Sequence, residues 1–95
     1  MNKYEIMFIV RPDLEEEIIK EEDKKFNDIL KKQEAKLLET KVLGQKELAY
    51  MINKHKTGYY YLYQIESSVD AIKEIDRLIR INENIIRHLI IKSDN

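Results

Sequence analysis

Two segments of this chain, residues 44–50 and 58–63, carry aromatic and aliphatic side chains on both faces of a predicted pair of strands. Successive residues of a strand point to opposite sides of the sheet, so these strands need apolar cover on both sides. The remainder of a 95-residue chain is too short to supply that cover twice. The sequence therefore predicts that another molecule completes one face of the sheet.

The composition narrows the class of protein. The formal net charge is −1, so no overall field attracts the chain to a polyanion, and any RNA contact must rest on local charge. Acidic residues concentrate in residues 13–28 and basic residues in 41–56 and 77–92. The chain has no Cys, which excludes disulfides and thiolate chemistry. No run approaches the ~18 apolar residues that cross a bilayer, so we expect a cytoplasmic protein with no membrane partner.

Hydrophobic periodicity predicts four strands, at residues 3–10, 36–52, 59–66 and 85–92. Gly44 is expected to mark a bulge or a bend in the second strand. The second and third strands form a hairpin around a polar loop at residues 53–57, which ends at Gly58.

The same periodicity predicts two helices. The first begins after Asp13, which we expect to be its N-cap with Glu16 three residues later. Its buried stripe is Ile19, Phe26 and Leu30, with Ile18 and Ile29 at the margins. The second follows Ser67 or Ser68 as N-cap and ends before residues 82–84. Its buried face is predicted to be Ile72, Ile75 and Leu78.

The element order β-α-β-β-α-β predicts an α+β fold of the ferredoxin-like, split βαβ type, formed by one domain over residues 1–95. In this fold both helices cover one face of a four-stranded antiparallel sheet. Period-two alternation places uniformly apolar residues under the helices: Tyr4, Ile6, Phe8, Val10, Tyr59, Tyr61, Tyr63 and Ile65. The open face is predicted to expose Met7, Ile9, Tyr60, Leu62, Leu89 and Ile91. Monomers rarely expose such a patch unless it binds something.

The sequence gives little support for catalysis. His55 and His88 are too far apart in sequence to suggest a metal pair, and we expect His88 to find a protein partner at the sheet margin. Pairs such as Glu16 with Lys20 and Glu21 with Lys25 predict surface ion pairs on a helix. No phosphate-binding loop or nucleophile motif is present. We therefore expect no enzyme activity, cofactor, metal or small-molecule substrate.

Basic residues offer a better hypothesis. Lys3, Arg80, Arg87 and Lys92 come from segments that the predicted fold brings near the paired first and fourth strands. They are equally compatible with a local positive patch that binds RNA and with ordinary surface charge. Tyr60 could stack on a base, but its aliphatic neighbours favour protein packing.

A set of residues along the whole chain resembles the family of bacterial small-subunit ribosomal protein six. The set comprises Tyr4, Glu5, Gly44, Lys46, Leu48, Ala49, Tyr50, Ile52, Lys54, Gly58, Tyr59, Arg80, Asn84, Ile85, Arg87 and Lys92. The resemblance implies a ribosomal protein without chemistry of its own. It would bind the central domain of 16S ribosomal RNA together with small-subunit ribosomal protein eighteen and so assist assembly.

The resemblance also implies site residues. Lys46, Leu48 and Tyr50 would face the protein partner. Tyr60 and Leu62 join this predicted interface because alternation places them on the apolar open face. Lys3, Tyr4, Arg87 and Lys92 fall where RNA contact is expected, and Arg80 joins them from the basic patch. The family often has a proline where this chain has Met51, and consecutive arginines where Gln45 and Glu47 flank Lys46.

Two other functions are compatible with the predicted fold. An independent RNA-recognition motif has the same topology and binds single-stranded RNA with aromatics on the open face. The segment 56–61 is faintly similar to that motif, but Phe8 is predicted to face the helices. A metabolite-binding or regulatory domain would instead self-associate through the open face as a homodimer.

Overall fold

The computed structural model describes residues 1–52 and 54–93. It contains the predicted order of elements, which are β1 (Asn2–Val10), α1 (Glu16–Lys32), β2 (Lys36–Ile52), β3 (His55–Ser67), α2 (Val69–Arg80) and β4 (Ile85–Ser93). The sheet has the strand order β2-β3-β1-β4, and each neighbouring pair is antiparallel. This is the predicted ferredoxin-like sandwich.

The main core lies between the sheet and the two helices. Alternate residues of β1 and β3 are buried there as predicted, including Ile6, Phe8, Tyr63 and Ile65, each fully shielded from solvent. The Phe26 ring of α1 packs 4.4 Å from the ring of Tyr63 and 5.2 Å from that of Phe8, measured between ring centres. Close-packed aromatic pairs of this kind fix the position of α1 on the sheet.

The buried face of α2 differs from the prediction at one position. Ile72 and Ile75 are buried as predicted, but Leu78 is only partly buried and Ile79 takes the next buried position. Because each helical residue turns by about 100°, a residue four positions after Ile75 lies closer to the stripe than one three positions after it.

The helix N-termini confirm one predicted cap and correct the other. The Ser68 hydroxyl accepts a hydrogen bond from the Ala71 backbone N–H at 3.1 Å, so Ser68 caps α2. Asp13 does not cap α1, whose N-cap is Glu15. Instead the Asp13 carboxylate accepts two hydrogen bonds from the Arg11 guanidinium, at 2.7 and 2.8 Å. A bidentate ionic contact to a side chain two residues away competes successfully with a neutral backbone donor.

Surface ion pairs on α1 also differ from the prediction at one place. Glu16 and Lys20 form the predicted i,i+4 pair, at 3.4 Å. Lys25 lies 3.3 Å from Glu22 rather than pairing with Glu21. Glu22 is 2% exposed, and its carboxylate has further partners in the turn before β4.

The second and third strands form a longer hairpin than predicted. Residues 55–57, predicted as loop, belong to β3, and His55 pairs with Ile52. Asn53 lies outside the described residues. The register of β2 shifts at Leu38 and Leu43, which therefore form bulges. Gly44 follows the second bulge with a φ of 80°, a conformation that glycine adopts without strain. The predicted irregularity at Gly44 is therefore confirmed.

We call residues 44–52 and 54–58 the hairpin arm, because they fold across the open face of the sheet. Tyr50 belongs to β2 and Arg87 to β4, which are the two opposite edges of the sheet. Flat strands would separate these edges by roughly 14 Å. The Arg87 guanidinium carbon nevertheless lies 5.8 Å from the centre of the Tyr50 ring. The arm must therefore bend over β1 to reach β4.

Candidate protein and RNA interface

The open face of the sheet exposes apolar side chains, most clearly on β4. Leu89 and Ile91 are 49% and 50% exposed, while Met7, Tyr60 and Leu62 are partly buried. The cross-strand pairs Met7 with Leu62 and Met7 with Leu89 make this surface continuous over three strands. The predicted apolar open face is therefore present.

Ile9 is the exception to that prediction, because it is only 2% exposed although it lies on the open side. The hairpin arm covers it. Gly58 is buried against Ile9, and a Cβ atom added to Gly58 would lie 2.2 Å from Ile9 Cγ2 and 3.7 Å from Leu48 Cδ2. Period-two alternation identified the correct side for Ile9 but gave no information about the arm that folds onto it.

A groove remains between the arm and the sheet. Its volume is about 250 Å³, and its lining consists of Met7, Ile9, Leu48, Ala49, Tyr50, Ile52, Tyr60 and Arg87. The single fully charged side chain among these residues is Arg87. The largely apolar lining suits apolar side chains of another protein.

The groove is bounded at the β4 side by a contact between Tyr50 and Arg87. Arg87 Nη1 donates a hydrogen bond to the Tyr50 hydroxyl, and the guanidinium also lies near the face of the ring. Tyr50 is 61% exposed and Arg87 is also exposed. The two side chains therefore join the arm to the opposite sheet edge at the protein surface.

The structure brings together part of the predicted protein-partner set. Leu48, Tyr50 and Tyr60 line the same groove. Lys46 is exposed on the arm opposite Gly58, and Leu62 lies between Met7 and Lys41 on neighbouring strands. These five predicted residues thus share one side of the sheet.

The predicted RNA-binding residues do not form one patch. Lys3 pairs with Ser93 on the open side, whereas Lys92 pairs with Tyr4 and so lies on the helix side. Arg87 is five residues from Lys92 along β4, which corresponds to roughly 17 Å. The Tyr4 ring is 7% exposed, within the core, and is therefore poorly placed for base contact. Arg80 lies on α2, with its guanidinium 3.2 Å from Asp76.

His88 has the protein partner that its position predicted. Its Nε2 atom lies 2.6 Å from Asp76 Oδ1, so one carboxylate contacts both His88 and Arg80. Within residues 1–52 and 54–93, no three acidic or histidine side chains come close enough to hold a metal ion. Neither helix of that part of the chain has the length and apolar character needed to cross a membrane.

Sequence reasoning missed the role of Glu22. Its carboxylate accepts hydrogen bonds from the Asn82 and Asn84 side-chain amides, at 2.7 and 2.8 Å, and so ties α1 to the turn before β4. A signal was present, because Glu22 lies three residues after Ile19 and four before Phe26, on the apolar stripe of α1. A carboxylate at such a position requires buried partners.

Comparison with known proteins identifies the family. Residues 3–92 match the model of the family described as Ribosomal protein S6. The small ribosomal subunit protein bS6 of Halalkalibacterium halodurans is 47% identical over 94 residues, which is 99% of each chain. The corresponding protein of Shouchella clausii is 44% identical, also over 99% of each chain.

A solved structure supports the same fold. The crystal structure of 30S ribosomal protein S6 from Thermotoga maritima superposes with a TM-score of 0.93 at 24% identity, over 97% of this chain and 87% of that one. The family model and the two bS6 relatives show the family itself: the chain belongs to the ribosomal protein S6 family of the small ribosomal subunit.

Proposed function

We propose that this protein binds the central domain of 16S ribosomal RNA together with small-subunit ribosomal protein eighteen, and so assists assembly of the small subunit in the cytoplasm. The family is one of ribosomal structural proteins, and the proposal assigns no catalytic role. The observation that carries it is the open sheet face, where Leu89 and Ile91 remain half exposed beside an apolar groove.

The distribution of charge favours joint rather than independent RNA binding. The net charge is −1, Lys3 and Lys92 lie on opposite sides of the sheet, and Arg80 is paired with Asp76 on α2. Separate basic side chains contact single phosphates without forming a continuous positive track. RNA affinity of the protein alone should therefore be weak, and a second protein would supply the missing surface and charge.

The open face also argues against an independent RNA-recognition motif. That module stacks bases on exposed aromatics of its central strands. Among the aromatic residues of β1 and β3, Phe8, Tyr61 and Tyr63 are buried under the helices. Tyr60 lies on the open side, but it lines the groove under the arm. Protein packing is therefore the use that this surface supports better.

Binding measurements with each partner, separately and jointly, test the proposal. We expect weak binding to the central-domain RNA alone and strong binding when ribosomal protein eighteen is added. Submicromolar binding of a single-stranded oligonucleotide by the isolated protein would favour the RNA-recognition motif. A stable homodimer at micromolar concentration would favour the self-associating domain.

Substitutions on the two sides of the sheet make this test specific. Leu62→Asp on the open face should weaken the joint complex by at least roughly tenfold, because it places a charge in an apolar interface. Val69→Asp is the matched control, since Val69 is 49% exposed at the start of α2, away from the open face. Equal effects of the two substitutions would contradict the proposed interface.

Lysine substitutions test the RNA contacts. Lys3→Ala and Lys92→Ala should each lower the salt dependence of RNA binding in the joint complex, by about 0.9 in the logarithmic slope for each duplex phosphate that the side chain neutralises. Lys24→Ala, at an exposed position of α1, should leave that slope unchanged. If neither Lys3→Ala nor Lys92→Ala changes the salt slope of RNA binding, these two lysines do not contact the RNA.

A further inference from the structure

Strand pairing is irregular in the outer part of the hairpin arm. The register between β2 and β3 shifts between Glu47 and Ile52, so a regular ladder does not fix the path of residues 48–51. At the base of the arm, Gly44 has a φ of 80°, and a Cβ atom placed there would meet nothing within 4 Å. Contacts between the arm and the sheet therefore contribute to the position of residues 48–52.

Arg87, on the edge strand β4, makes a polar contact with Tyr50 of the arm. Its guanidinium donates to the Tyr50 hydroxyl and lies 5.8 Å from the centre of the Tyr50 ring. Both side chains also line the groove. An arginine combines hydrogen bonding with contact to an aromatic face, whereas a lysine provides only a point charge.

We propose that Arg87 is a positioning residue, which holds the hairpin arm across the open face through Tyr50 and so shapes the surface that the protein partner meets. The inference rests on the proposed function for the identity of that partner. It replaces the predicted role of Arg87 as an RNA ligand. A phosphate at this position would compete with Tyr50 for the guanidinium, and Lys3 and Lys92 lie at the other end of β4.

A preorganised arm should bind its partner more tightly than a mobile one. A mobile arm would lose conformational entropy when it binds. If the interaction between Tyr50 and Arg87 already orders the arm in the free protein, binding no longer carries that cost. The interaction lies at the surface, so we expect an effect of roughly 2- to 5-fold on partner affinity.

Backbone amide exchange in the free protein tests the positioning step without any partner. Arg87→Met should accelerate exchange in the arm by roughly 2- to 5-fold. Tyr50→Phe keeps the ring and removes the hydroxyl, so it should have a smaller effect in the native background and none in the Arg87→Met background. Arg77→Met is the control, because Arg77 is exposed on α2 and pairs with Glu74. Unchanged exchange in the arm of Arg87→Met would overturn the proposal.

Binding measurements separate a positioning role from an RNA contact. Arg87→Met should weaken binding of ribosomal protein eighteen without changing the salt slope of RNA binding. A slope reduced by about 0.7 to 0.9, with or without Tyr50→Phe, would instead show that Arg87 contacts a phosphate. If the unaltered protein binds neither partner, the proposed function fails, while the exchange experiment still decides whether Arg87 positions the arm.

Discussion

The backbone of Gly58 lies directly against the side chain of Ile9, and this contact seats the hairpin arm on the sheet. A Cβ atom at residue 58 would fall 2.2 Å from Ile9 Cγ2, so either Ile9 or the arm would have to move to admit it. Gly58 thus permits a strand to approach an aliphatic side chain of its neighbour more closely than any other residue would.

Gly58→Ala should therefore destabilise the protein. Displacing Ile9 or the arm to admit one methyl group is overpacking, which typically costs ~1–3 kcal/mol. Urea unfolding followed by circular dichroism would measure the loss. In an Ile9→Ala background, which lacks the Cγ2 atom, Gly58→Ala should cost less. Strictly additive effects of the two substitutions would contradict this explanation.

Glycine is required at position 44 for a different reason, namely the backbone conformation and not the space around the residue. Its φ of 80° disfavours residues with a Cβ atom, although the space around it is open. Gly44→Ala should lower the free energy of unfolding by ~1–2 kcal/mol. Gly44→Asn should lower it less, because asparagine tolerates the left-handed region better. Denaturant midpoints of the two variants provide the comparison, and a better tolerated alanine would count against the assigned conformation.

Replacement of Glu22 tests the buried contact between α1 and the turn before β4. Glu22→Gln retains the size of the side chain but replaces one of the two oxygen acceptors that bind Asn82 and Asn84. An amide donor would then face another donor, at a cost of ~1–3 kcal/mol. Glu21→Gln is the control at an exposed neighbour and should change stability by less than ~0.5 kcal/mol. Thermal or urea unfolding of both variants would show whether the costs differ.

Alkaline unfolding should depend on Tyr63. Burial, followed by the hydrogen bond that its hydroxyl donates to Asp23 at 2.5 Å, raises the pKa of Tyr63 far above its ordinary value. Below pH ~10 the hydroxyl is protonated in both the folded and the unfolded chain, so its titration does not change stability. Above pH ~10 only the unfolded chain releases this proton, and the free energy of unfolding should fall by about 1.4 kcal/mol per pH unit.

Tyr63→Phe removes this titration and should flatten the decline above pH ~10. The variant starts from a lower stability at neutral pH, because it also loses the hydrogen bond to Asp23. Tyr61 contributes in the same direction, since burial is the main cause that raises its pKa as well. Parallel stability curves for Tyr63→Phe and the unaltered protein between about pH 9 and pH 11 would refute the assignment.

Much of the fold was predictable because the buried faces of strands and helices place apolar residues at regular intervals along the sequence. Alternation along β1 correctly separated Ile6 and Phe8 from Met7, since a strand has only two sides. The stripe of α1 and the Ser68 cap followed from equally local rules. The prediction that Asp13 caps α1 was wrong, because the capping rule identifies a suitable side chain but does not compare its possible partners. The Asp13 carboxylate binds the Arg11 guanidinium instead.

The shape of the candidate site could not be predicted in the same way. Leu48, Tyr50 and Tyr60 were predicted among the interface residues, and they do line one groove. The bend that brings them there depends on Gly58 fitting Ile9, and on Tyr50 meeting Arg87 across 37 positions of the sequence. Such fits between distant residues depend on three-dimensional packing, which no single-sequence pattern encodes.

The bulges at Leu38 and Leu43 have a consequence for the outer edge of β2. This edge strand exposes Leu37, Leu38, Val42 and Leu43 by 38–60%, which would make a regular strand a template for fibre growth. The bulges divide the edge into short runs, so an incoming strand would meet an interrupted ladder of backbone groups. The irregular geometry at Leu38 and Leu43 thus disfavours amyloid-like stacking on this edge strand, although its apolar side chains remain exposed.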